Sequence, residues 1–176
     1  MKGGGWFFVG LALLTLGGAG CATKANEAPL ADRIKAYAVA HPAAAMSSGD
    51  GQTETWLSRD VAQHGTPERL ATFAGEAPVE ARGLAKFVSF EDRYYVVFPD
   101  DFQVWSGPSL HVFASPSASV STNFEQTRGV MDLGELKATK GAQIYTLPRG
   151  TDVSKLNAVI IWSESFHAPY AVASVQ

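Results

Sequence analysis

Ser163, Ser165 and His167 stand two apart in turn, with Glu164 among them. On an extended strand such residues share one face, which raises the possibility of a hydrolase. A nucleophilic triad needs an activated nucleophile, an oriented base and an oxyanion hole together, and no GxSxG elbow occurs in the chain. Asp100-Asp101 is a carboxylate pair, but neighbours on a strand point to opposite faces and do not converge as general acid and base. Asp100 is expected in the Pro99-Asp100 turn, and Asp101 in a backbone hydrogen bond before Phe102. The four histidines are His41, His64, His111 and His167. None has HxH or HExxH spacing, and a metal site draws on three or four converging ligands. His111 and His167 therefore read as surface or strand-edge residues. These patterns assign no catalytic residue and no metal ligand, and they name no cofactor.

The one cysteine, Cys21, can form no internal disulfide, no CxxC redox pair and no cysteine-rich zinc site. Its position carries more information. Lys2 and the amino terminus supply positive charge, Trp6 to Leu16 is an apolar run, and Gly17 to Gly20 are small. Charge, apolar segment and small-residue zone make up a secretory signal, and the run is shorter than the roughly 20 residues a spanning helix needs. Gly18-Ala19-Gly20-Cys21 resembles a bacterial lipobox, except that Gly18 replaces the usual branched apolar residue. The resemblance implies cleavage before Cys21, lipidation of its thiol, and a stable anchor, since stable anchoring takes more than one acyl chain. The expected location is the periplasm or the outer face of a membrane.

The elements that must position these residues follow from composition and pattern. The chain has 176 residues, 46% hydrophobic and 18% charged, with a formal net charge of −3. That suffices for one core, and without a basic stripe no nucleic-acid partner is expected. Residues 22–83 form a lead-in. Ala31 to Ala40 is alanine-rich and predicts a short helix ending before Pro42. Ala43 to Thr53 reads as a linker. Ser58 to Phe73 predicts a second short helix, with Thr66 as N-cap and Pro67 at its first position.

Residues 84–176 switch to strands. Phe87 to Phe90, Tyr94 to Phe98, Phe102 to Trp105, Leu110 to Ala114, Val130 to Leu136, Gln143 to Leu147, Ala158 to Trp162 and Tyr170 to Val175 are apolar runs. Turn formers such as Gly107-Pro108, Pro148-Arg149-Gly150 and Pro169 divide them. About eight short strands predict an all-β sandwich or barrel-like domain. Leu110, Val112 and Ala114 should share one face. Ala158 to Trp162, apolar throughout, should be a central strand buried on both sides. Gly134 suggests a bulge, and Tyr145 and Trp162 are expected to bury their rings while their polar atoms find partners. Ser115 to Thr127 reads as a solvent-exposed loop. With Tyr94 to Trp105, it is the first place to seek binding.

Four segments in order resemble the DM13 domain. Asp101-Phe102 followed by Gly107-Pro108-Ser109-Leu110-His111-Val112 is similar to its DF…G-P-x-L-x-V opening. Leu133-Gly134-Glu135-Leu136-Lys137 resembles L-G-x-L-K, and Gly141-Ala142-Gln143-Ile144-Tyr145-Thr146-Leu147-Pro148 resembles G-x-Q-x-Y-x-L-P. Val159-Ile160-Ile161-Trp162 with Phe166 resembles the V-x-I-W-C-x-x-F ending. The resemblance implies redox or electron-transfer activity through the cysteine that follows the last tryptophan. Here that position is Ser163, whose hydroxyl cannot cycle between thiolate and disulfide. The expectation is a non-catalytic binding or accessory module, anchored to a membrane through Cys21, with an unnamed protein or small-molecule ligand. The alternative is an electron-transfer accessory.

Overall fold

A computed structural model describes residues 28–42, 59–121 and 123–176. The signal segment, Cys21 and the linker from Ala43 to Thr53 lie outside these. The dominant element is an eight-stranded antiparallel sheet. In chain order its strands are β1 (Thr66–Gly75), β3 (Leu84–Phe90), β4 (Arg93–Phe98), β6 (Leu110–Ser115), β7 (Met131–Glu135), β8 (Gln143–Thr146), β9 (Ala158–Ser163) and β10 (Ala168–Val175). Across the sheet they run β7-β6-β9-β10-β1-β3-β4-β8. The sheet curls until its edge strands β7 and β8 approach one another, giving a nearly closed barrel. A two-stranded ribbon pairs β2 (Ala81–Arg82) with β5 (Gln103–Val104). The all-β expectation holds.

Strand alternation explains the closure. Leu110, Val112 and Ala114 of β6, Val159 and Ile161 of β9, and Phe87 of β3 all point into one buried cluster. Alternate residues Phe113, Ile160 and Trp162 form a second cluster on the outer face. β9 is buried at every position, as its apolar run predicts. Inside the barrel Phe98 sits 5.1 Å from Phe73, 4.6 Å from Phe102 and 5.4 Å from Tyr145, ring centre to ring centre. Such tilted and edge-on pairs add to the burial of large rings.

The seam between the edges is closed by side chains rather than by a ladder. The Tyr145 hydroxyl donates to Gln143 Oε1 at 2.6 Å and accepts from the Lys137 N–H at 3.1 Å. Gln143 Nε2 donates to Ala138 O at 2.8 Å, and Lys137 Nζ donates to Ile144 O at 2.7 Å. These bonds satisfy backbone groups that a sheet edge otherwise leaves open.

Three expectations change. The second helix covers residues 59–64 and stops there; Thr66–Gly75 is β1, so the sheet begins upstream of Leu84. Pro67 is not a helix start. It sits where the β1–β3 register shifts, before the residues that also pair with β10, so its missing N–H leaves no gap in that ladder. Arg69, half-buried on the same face of β1 as Ala71 and Phe73, donates to the carbonyls of Val153 and Ser154 at 3.3 and 3.1 Å. Pro169 likewise lies within β10 at a bulge opposite β9, rather than in a turn. The Ser115–Thr127 loop is not wholly solvated. Its Phe124 is buried on the outer face, 5.0 Å from Phe113 and 4.7 Å from Trp162.

The first helix, α1 (Leu30–Ala40), lies against the barrel with Ile34 in the interior cluster. Residues 59–64 cover the outer face elsewhere, where Val61 packs with Val88, Tyr95 and Ile144.

Two core substitutions test this packing. Phe98→Ala should cost about 3–5 kcal/mol in urea denaturation. Gln143→Leu, which removes the acceptor of the Tyr145 hydroxyl and both bonds to Ala138, should cost about 1–3 kcal/mol. Equal stability of Gln143→Leu and the parent would mean that the seam bonds contribute nothing.

Candidate functional site

The family-motif residues fall in two places: the core and wall of the barrel, where they are scattered, and a pair of turns, where they meet. Phe102 is fully buried among the interior aromatics. Asp101 is exposed, and its carboxylate does not make the expected backbone bond. Instead Phe102 N–H closes the turn by donating to Pro99 O at 3.1 Å. Leu133 packs against the interior cluster, and the β6–β7 register shifts beside Gly134, whose φ is 103°. That conformation suits glycine, as the sequence pattern implied. Gly141 also has positive φ, at 97°. Tyr145 finds partners for its hydroxyl at the seam. Trp162 does not: its indole N–H is buried with no acceptor among the described residues.

The second place joins the turn before β6 to the turn after β9. Ser163 is fully buried. Its hydroxyl donates to Pro108 O at 2.7 Å and accepts from the Phe166 N–H at 3.3 Å. Ser165 Oγ donates to Ser109 Oγ at 3.0 Å, and Glu164 N–H donates to Ser109 O at 3.0 Å. The two turns are thus laced together, and Ser109 takes a φ of 47° within the lacing. Gly107 is required by contact: a Cβ there would lie 2.5 Å from the Tyr170 ring. Phe166 faces α1, with the Arg33 guanidinium 5.1 Å from its ring centre and Tyr37 packed edge-on.

This geometry does not assemble a nucleophilic triad. Ser163 and Ser165 engage the Pro108-Ser109 turn, and His167 is exposed with a φ of 49° and bonds to neither. His41 stacks on Tyr37 at 4.1 Å, while His64 ends the helix at residues 59–64.

His111 behaves differently. Its Nδ1 lies 3.2 Å from Asp132 Oδ2 and its Nε2 lies 3.7 Å from Glu164 Oε2. Strands β6 and β7 and the turn after β9 bring these three together, with their potential ligand atoms within 4.8 Å of one another. The sequence reading missed Asp132 and Glu164, because only the strand register makes them neighbours of His111.

The family model described as Electron transfer DM13 matches residues 72–175. The chain belongs to the DM13 family. No curated protein and no solved structure matches the chain. Among the described residues no helix is long and apolar enough to cross a membrane.

In this DM13 domain the tie made by Ser163 is structural, so Ser163→Ala should cost about 1–3 kcal/mol by leaving Pro108 O without its donor. Tyr170 offers a contrasting case. Its ring is fully buried and its hydroxyl has no partner among the described residues. Burial holds the phenol un-ionised well above the usual 10.0, and the nearby Tyr37 phenol adds to this. The folded state therefore keeps a proton that the unfolded chain releases. Stability is unaffected below the ordinary phenol value and falls as pH rises beyond it toward the folded-state value. Tyr170→Phe should hold or raise stability at neutral pH and flatten this alkaline loss in urea denaturation across pH. A large neutral-pH loss in Tyr170→Phe would show that the hydroxyl is satisfied after all.

Proposed function

We propose that this DM13 protein is exported, lipid-anchored at Cys21, and uses its barrel as a non-catalytic binding or accessory module rather than as a thiol-based electron carrier. The observation that carries the reading is Ser163. At the position where the family places its cysteine stands a hydroxyl that is fully buried and committed to Pro108 O and Phe166 N–H. A serine hydroxyl offers no thiolate and no disulfide partner, and a group so enclosed is not open to a redox partner. The amino-terminal pattern of Lys2, the Trp6 to Leu16 apolar run and Gly18-Ala19-Gly20-Cys21 supports export and acylation.

The family description favours a second reading, electron transfer; without a thiol at position 163 it would run through a bound cofactor. The two separate on one sample. Intact-mass analysis of protein from the native membrane fraction should give a chain starting at Cys21 with added acyl mass, and its absorption spectrum should lack a visible band. A chain that keeps Met1 and carries no lipid mass would reject the anchor. A chromophore that co-purifies in stoichiometric amount would replace the binding-module reading with the cofactor reading.

A further inference from the structure

We propose that His111 and Glu164 bind a divalent transition-metal ion, with Asp132 orienting the imidazole. His111 is largely enclosed, with its side chain 16% exposed, while Asp132 and Glu164 are about half exposed at 46% and 50%. Each ring nitrogen meets a different carboxylate. Nδ1 is within hydrogen-bond reach of both Asp132 oxygens, at 3.3 and 3.2 Å, and Asp132 is itself held by the Gly134 N–H at 2.8 Å. This is the arrangement in which a ligating histidine donates its other N–H to a carboxylate, which sets the tautomer.

In that tautomer Nε2 carries a lone pair, and it faces Glu164 Oε2 across 3.7 Å, beyond hydrogen-bond reach. Two acceptors then look at each other with no donor between them. A zinc-like ion sits about 2.0–2.2 Å from nitrogen and carboxylate ligands, so a gap of this size corresponds to a ligand–metal–ligand angle of roughly 120–135°, which a small inward shift of the Glu164 carboxylate would bring to the tetrahedral value. The Glu164 main chain is fixed by its bond to Ser109 O at 3.0 Å, and β6 pairs with β7 and β9 on either side of His111. Rigid elements therefore hold His111 and the Glu164 main chain, and the half-exposed Glu164 side chain completes the gap. Trp162, the register partner of His111 on β9, presents its buried and unpaired indole N–H on the same outer face.

An imidazole among the donors selects zinc, copper, nickel or cobalt over magnesium and calcium, which prefer oxygen ligands. Two protein ligands leave positions open to solvent, so the ion could accept an exchangeable ligand or a donor from a partner. The competing occupant of the gap is a proton, giving an imidazolium bridging two carboxylates. The two are distinguished by titrating the metal itself, because a proton in the gap leaves no saturable metal site.

The test is isothermal titration of zinc into the chelator-treated full chain in a mildly alkaline, non-coordinating buffer. One equivalent should bind per chain. His111→Ala and the surface variant Glu164→Gln should each weaken binding tenfold or more, and Asp132→Asn should weaken it by about 10–100-fold through loss of orientation. No saturable binding, or the same affinity in Glu164→Gln as in the parent, would overturn the site.

Discussion

An antiparallel sheet that curls toward a barrel must satisfy the backbone groups of its last two edges, and everything else in this domain depends on how that is done. A full ladder between β7 and β8 is absent. The segment after β7 instead brings the Lys137 N–H to Tyr145 and the Ala138 backbone to Gln143, while Lys137 Nζ reaches Ile144 O. Tyr145 supplies both a ring to the interior and a hydroxyl to the seam, so one residue couples closure to core packing. Once the edges meet, the inner face is sealed around Phe73, Phe98 and Phe102. The outer face is then left to be covered piecemeal by the loop after β6 and by residues 59–64.

Closure also explains why Ser163 can serve the scaffold rather than chemistry. It stands at the end of β9, a strand buried on both faces, and the turn that follows folds onto the Gly107 to Ser109 turn. Gly107 allows that turn to rest directly on the Tyr170 ring. A hydroxyl there holds two turns together. The family scaffold thus persists with a serine where the resemblance implies a cysteine, in keeping with the rule that a fold hosts functions without specifying them.

Much of this was legible in the chain. β3, β4 and β6 to β10 coincide closely with apolar runs bounded by glycine, proline and acidic turns, because each run is long enough to alternate and each break is local. β1 was not legible. Thr66-Pro67-Glu68-Arg69 carries the local marks of a helix start, and Leu70 and Phe73 sit three apart. Yet Leu70 is 47% exposed, while Ala71 and Phe73 are buried in strand alternation. Pairing with β10 on one side and β3 on the other decided the matter, and such pairing is invisible to local propensity. The same holds for the outer-face cluster. His111, Asp132 and Glu164 come from separate segments with no motif spacing, and a bulge beside Gly134 sets where Asp132 falls. Trp162 departed from expectation in the other direction, burying its indole N–H without a partner.

On the proposed reading, this DM13 barrel carries no electron through the side chain at position 163. Protein-film voltammetry of the purified, chelator-treated chain, swept across the range of thiol–disulfide couples, tests it most directly. The expected trace is featureless and unchanged in Ser163→Ala. A reversible wave that Ser163→Ala abolishes would contradict it.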